Sequence, residues 1–304
     1  MKDKKILITG GTGLLGRSLV DIFKKEQEIV ATYVGQYAVA NDTNVQYVNL
    51  DIQNSDGYKR LFVKFRPNIV IHTASIGSPD YAEKNKEITR QINVGGTKTI
   101  LSLCEEQGSK FIYISSNGIY DGQHAPYGED DIASPINFYG EIKLEGEKVT
   151  TASKVISAII RPNILYGWHH PSERSNIVTL ALDKIARNEK FMAYDDVYVM
   201  PLFVRECARA IWKIVKMEQY ETFNIAGRDR VSIYELIKKA AQVFGFDDRL
   251  VLPVGQDYFN SLVPRPKDTS YRTDKMERVL LASPILIEEG LSMMKKEGKP
   301  FYED

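Results

Sequence analysis

Tyr139 and Lys143 stand four residues apart in the run Tyr139-Gly140-Glu141-Ile142-Lys143. On a helix that spacing puts a phenol and an ammonium on one face. A phenol with an ordinary pKa of about 10 is a poor proton carrier at neutral pH, and a neighbouring cation favours its ionised form. Upstream, an apolar run ends in Ser115-Ser116-Asn117-Gly118. If that run is a strand, Ser116 lies beyond its carboxyl end, where open α/β sheets bind ligands. Phenol, ammonium and hydroxyl together suit proton transfer at a substrate oxygen while a hydride moves at the adjoining carbon. Alone, the pair would be an ordinary aromatic and a solvated lysine.

What lifts it above that reading is the start of the chain, where Thr9-Gly10-Gly11-Thr12-Gly13-Leu14-Leu15-Gly16 follows the apolar run Ile6-Leu7-Ile8. Gly10, Gly13 and Gly16 recur every third residue between an expected strand and an expected helix. The first allows a tight turn, the second lets backbone approach a pyrophosphate, and the third lets helix pack on strand. Amide groups at the helix start then face the phosphates. The second strand should end at Thr32-Tyr33, where a carboxylate would select NAD and an arginine NADP. Neither charge is present, so two hydroxyls facing a 2′-phosphate predict a modest preference for NADPH. Asp51 follows the third strand; contact with the adenine and a plain helix cap are both open to it.

These residues need a sheet to bring them together. Strand-type runs recur at 5–9, 29–33, 45–50, 69–73, 110–115 and 155–160, with helical spacing at 13–25, 56–65 and 87–107 between them. Alternation of this kind predicts an α/β fold with a doubly wound parallel sheet. After about Gly167 helical segments dominate (175–188, 205–216, 232–244, 285–296), with a short strand at 222–225. The expected organisation is a dinucleotide-binding domain over 1–166 and a smaller C-terminal substrate-binding domain over 167–304, some segments of which return to the sheet.

Composition narrows the partners. The 304 residues carry 40 basic and 40 acidic side chains, so no excess charge points to nucleic acid. No apolar run reaches the roughly 18 residues of a membrane span, and the first apolar run is too short for a signal-peptide core. A cytoplasmic protein is expected. Cys104 and Cys207 lack metal-ligand spacing and read as small buried hydrophobes, and no metal site is expected. His169 and His170 are adjacent without a carboxylate or cysteine partner at ligand spacing, and read as surface or substrate-rim residues. The oligomeric state stays open, a homodimer among the options.

Taken with Val70-Ile71-His72-Thr73-Ala74-Ser75, Asn93-Val94-Gly95-Gly96-Thr97, Arg161-Pro162-Asn163 and Tyr166-Gly167, these motifs resemble the extended short-chain dehydrogenase/reductase superfamily. The stretch from Tyr113 to Glu147 and the run Arg265-Pro266-Lys267-Asp268-Thr269-Ser270 with Thr273-Asp274-Lys275 resemble most closely the dTDP-4-dehydrorhamnose reductase-like proteins. The resemblance implies a Rossmann-type domain and an NADP (NADPH) or NAD cofactor. Gly10, Thr12, Gly13, Leu14, Leu15 and Gly16 would cradle the cofactor's pyrophosphate and Asp51 and Ile52 its adenine. Thr32, Thr73, Ala74, Ser75, Tyr139, Lys143 and Arg161 complete the implied cofactor set, with Lys143 on the nicotinamide ribose. Catalysis would fall to Ser116, Tyr139 and Lys143, with Asn93 supporting the active-site helix and its proton relay. Ser75, Ser116, Asn117, Tyr139, Asn163 and Arg265 would meet a nucleotide-sugar substrate, Arg265 at its diphosphate.

The implied activity is reduction of a nucleotide-diphospho-4-keto-6-deoxy sugar, with Tyr139 as acid/base. A nucleotide-sugar 4-epimerase with tightly bound NAD uses the same residues and is the alternative. A third reading is a regulatory binding subunit, because the family also resembles the non-catalytic partner of methionine adenosyltransferase. Dehydration is disfavoured, since Asn117 and Gly118 stand where related dehydratases carry an Asp-Glu pair.

Overall fold

The computed structural model describes residues 4–36, 43–171, 173–259 and 263–299. Seven strands form the main sheet: β1 (Lys5–Thr9), β2 (Glu28–Tyr33), β3 (Val45–Asn49), β4 (Ile69–His72), β5 (Lys110–Ile114), β6 (Ser157–Pro162) and β7 (Thr222–Ile225). Their spatial order is β7-β6-β5-β4-β1-β2-β3, and every pair is parallel. The helices are α1 (Leu14–Phe23), α2 (Ser55–Phe65), α3 (Pro79–Lys84), α4 (Lys86–Arg90), α5 (Gly96–Gln107), α6 (Phe138–Ala152), α7 (Ile177–Ile185), α8 (Val204–Met217), α9 (Ile233–Phe244), α10 (Asp274–Leu280) and α11 (Ile287–Glu297). A π-helical turn, Gln91–Gly95, joins α4 to α5.

The strands read as unbroken apolar runs because both sheet faces are covered. Successive side chains alternate between two cores. Ile6 and Ile8 pack on one face with Leu19 and Phe23 of α1 and Ile211 of α8, while Leu7 packs on the other with Phe62 of α2 and Leu101 of α5. Cys104 and Cys207 are buried free thiols.

The fold is the expected Rossmann-type α/β sheet, and the C-terminal portion contributes to it directly: Thr222–Ile225 becomes its edge strand beside β6. The rest of that portion is built on short pairings, Leu165–Tyr166 with Leu202–Phe203, Tyr198–Val199 with Val231–Ser232, and Phe191–Tyr194 with Val251–Val254. α7, α9 and α11 pack around them. Among the described residues no helix is long and apolar enough to cross a membrane.

Candidate active site

Beyond the carboxyl end of β1 the chain turns through Gly10, whose φ of +67° favours glycine. The turn is braced from β4: Thr73 Oγ1 donates to Thr9 O (2.6 Å) and Gly10 O (3.2 Å), and Ala74 N–H donates to Thr9 Oγ1. Thr9 Oγ1 also lies 2.8 Å from His72 Nδ1. Burial and the Lys143 charge push the His72 imidazole down to about 3, so it is neutral. A Cβ on Gly16 would come within 2.2 Å of Gly10 O, which explains the glycine that lets α1 start against the turn. Gly13 caps α1 and has no side chain of its own to bond the helix's first N–H groups. A helix start left free beside a backbone cradle fits the pyrophosphate of a dinucleotide.

The groups predicted to react converge across the carboxyl edges of β4 and β5. Asn137 caps α6 by accepting the Gly140 N–H (3.0 Å), and a Cβ on Gly140 would meet Gly118 O at 2.1 Å, so the helix start sits directly on the turn after Ser116. Ser116 Oγ accepts the Gly118 N–H (3.1 Å) and donates to Asn117 Oδ1 (3.3 Å), and Gly118 lies against both Ser116 Oγ and the Tyr139 ring. One turn on, buried Lys143 donates from Nζ to Ile114 O (2.9 Å) and Ser75 Oγ (3.1 Å). Burial draws its pKa down to about 8, opposed by Glu147 on the same helix face. Tyr139 is held above its ordinary value by burial, against the lowering influence of Ser116 and then of Arg174. The expected lowering of the phenol by the lysine is outweighed: Nζ lies 6.0 Å from the Tyr139 ring, and burial dominates. A protonated phenol, a hydroxyl and a cation thus lie together beyond the ends of β4 and β5, an arrangement that can deliver a proton to a carbonyl oxygen.

Several expected contacts are taken by the protein itself. Arg161, assigned to the cofactor, is buried and forks onto Glu147 (2.9 and 2.7 Å), with Nη1 bonded to Tyr120 Oη and Glu129 O. Thr32 is also buried, its hydroxyl 2.8 Å from Tyr58 Oη, so it does not face a 2′-phosphate. Asn163, expected at the substrate, donates to Thr269 O and accepts N–H groups of Ile164 and Met200. Asn117 donates to Thr269 Oγ1 (2.7 Å). Asn93 lies in the π-helical turn and grips Ile76 through both its backbone groups, bracing the loop that carries Ser75 rather than α6. Arg265 reaches Asp80 of α3 from Nη2 (2.8 and 2.7 Å), while Nη1 is buried without a partner among the described residues. Asp51 accepts the Gln53 N–H and stays exposed; Asn54, not Asp51, caps α2. Ile52 is buried where Gly96 leaves room for it, Leu15 is buried, and Thr12 and Leu14 are partly open at the helix start. His170 is buried, not a surface residue, and its N–H donates to Glu173 Oε2.

Sequence reasoning missed Glu147 and Arg174. The first had a signal, its place four residues beyond Lys143; the second had none in local pattern.

The sheet order, the glycine turn and the Ser116–Tyr139–Lys143 grouping agree with a family model described as RmlD substrate binding domain, which matches residues 4–299. The chain belongs to that family. Methionine adenosyltransferase 2 subunit beta of Rattus norvegicus is 29% identical over 280 residues, covering 90% of this chain and 82% of the relative. A dTDP-4-keto-6-deoxy-D-glucose reductase of Streptomyces niveus is 25% identical over 265 residues, 86% of each chain. The crystal structure of dTDP-4-dehydrorhamnose reductase from Bacillus anthracis in complex with NADP superposes with a TM-score of 0.85 at 26% identity, covering 98% of this chain and all of that one. Membership places the RmlD-type fold among extended short-chain dehydrogenases/reductases, whose structural relatives bind NADP or NAD.

Proposed function

We propose that the protein is an NAD(P)H-dependent reductase of a nucleotide-diphospho-4-keto-6-deoxy sugar. The observation that carries this reading is the grouping of Ser116 and Tyr139 on either side of Gly118, with Lys143 Nζ 6.0 Å from the Tyr139 ring and bonded to Ser75. When bound, a reduced nicotinamide supplies the hydride. Gly10, Gly13, Gly16 and the open start of α1 hold its pyrophosphate, and Ala74 and Ser75 line its path. Ser116 holds the carbonyl oxygen, and Tyr139, kept protonated by burial, gives it the proton as the carbon accepts hydride, so that a ketone becomes an alcohol. Two of the three Lys143 N–H donors are spent on Ile114 and Ser75, and the third serves the nicotinamide ribose. The likeness to the S. niveus reductase and the B. anthracis structure supports the substrate class.

The likeness to methionine adenosyltransferase 2 subunit beta favours a second reading, a regulatory subunit that binds the cofactor without turnover. One experiment separates them: mix the protein with a dTDP-4-keto-6-deoxyhexose and NADPH and follow the reduced cofactor's absorbance. Stoichiometric oxidation, abolished in Tyr139→Phe with NADPH affinity intact, is expected. Absence of oxidation supports the subunit reading, and interconversion of 4-epimers without net oxidation supports an epimerase.

A further inference from the structure

Arg174, just before α7, brings a guanidinium to the loop after β4. Arg174 is exposed, and its Nη1 donates to Gly77 O at 3.4 Å, the long end of a hydrogen bond. Gly77 belongs to the loop after β4 whose Ser75 receives Lys143 Nζ, so Arg174 spans from the C-terminal portion to the cofactor side of the cleft. Its neighbours in charge are committed: Arg17 to Glu173 (3.1 Å) and Arg265 to Asp80 (2.7 Å). Among the described residues no carboxylate pairs with Arg174. Its charge reaches the Tyr139 phenol, where it and the Ser116 hydroxyl favour ionisation. A cation held by one long bond to the loop that carries Ser75 can exchange that bond for an anion, and a guanidinium matches phosphate oxygens in fork geometry.

We infer that Arg174 is a specificity-determining residue that grips a phosphate of the substrate's nucleoside diphosphate and so sets the sugar carbonyl against Tyr139. This rests on the reductase reading. It gives the substrate anion a cation other than Arg265, whose Nη2 is already on Asp80. The same chemistry could be met by the dinucleotide's pyrophosphate, and the test separates the two sources.

The intact protein, Arg174→Ala and Arg174→Lys are titrated calorimetrically with dTDP, with UDP and, separately, with NADPH. Loss of a charged hydrogen-bonded contact should weaken nucleoside diphosphate binding roughly ten- to a hundredfold in Arg174→Ala, with partial recovery in Arg174→Lys. NADPH affinity should stay within about twofold, and thermal stability should not change, because one long surface bond is lost. Nucleoside diphosphate affinity unchanged in Arg174→Ala overturns the inference and leaves the reductase reading standing. Equal weakening of NADPH overturns it by assigning Arg174 to the cofactor. An intact protein that binds NADPH but neither dTDP nor UDP overturns the nucleotide-sugar reading as well.

Discussion

Two arginine–carboxylate pairs near the candidate site, a buried one called the floor and an exposed one called the rim, lie in opposite surroundings. On the floor, Arg161 of β6 forks onto Glu147 of α6, with side chains 9% and 5% exposed. At the rim, Arg265 reaches Asp80 of α3 through one nitrogen, with side chains 25% and 54% exposed. A pair withdrawn from water holds only while whole, because removing either partner strands a bare charge. A pair left in water is screened and readily exchanged. The floor therefore fixes α6, which carries Tyr139 and Lys143, whereas the rim pair adds little to holding the fold.

The sharpest way to break this contrast is to strand the buried arginine. Glu147→Ala should cost about 3–5 kcal/mol in denaturant unfolding, and replacing both partners with leucine and methionine should restore much of it. A single-variant cost below about 1 kcal/mol would remove the distinction between floor and rim.

A second, smaller effect lies in pH. Burial lowers Lys143 from its ordinary 10.5 to about 8, so the folded protein releases this proton before the unfolded chain does. Turnover should fall as pH rises through about 8, while Lys143→Arg, slower throughout, should lack that limb. Stability responds in the opposite sense. Between about 8 and 10.5 the unfolded chain holds the extra proton, so this group makes stability rise with pH across that window. Profiles of kcat/KM and of denaturant midpoint, taken from pH 7 to 10, read the two signs separately.

The smallest effect belongs to the rim. Asp80→Asn should change stability by about 0–1 kcal/mol, and by less in about 1 M salt. A larger, salt-independent loss would mean that the rim pair is structural after all.

The glycine turn, the strand order's α/β basis and the Ser116–Tyr139–Lys143 grouping were legible because each is a matter of short spacing along the chain. What escaped was set by partners distant in sequence. Asn163 is claimed by Thr269 and Met200, Arg265 by Asp80, and nothing near either residue announces it. Thr32 was legible in principle: alternation along β2 puts it on the same face as Val30, toward the core that holds Tyr58. α3 and α10, at six and seven residues, are too short for a periodic signal.

The origin of β7 has a consequence for the order in which the chain is made. About 60 residues separate the end of β6 from the start of β7, so at 5–20 residues per second a growing chain waits on the order of 3–12 s between them. Through that interval β6 has one edge without its native neighbour, a row of amide and carbonyl groups on which another nascent chain can pair. That interval of exposed edge falls on the ribosome, and Thr222–Ile225 ends it by closing the sheet.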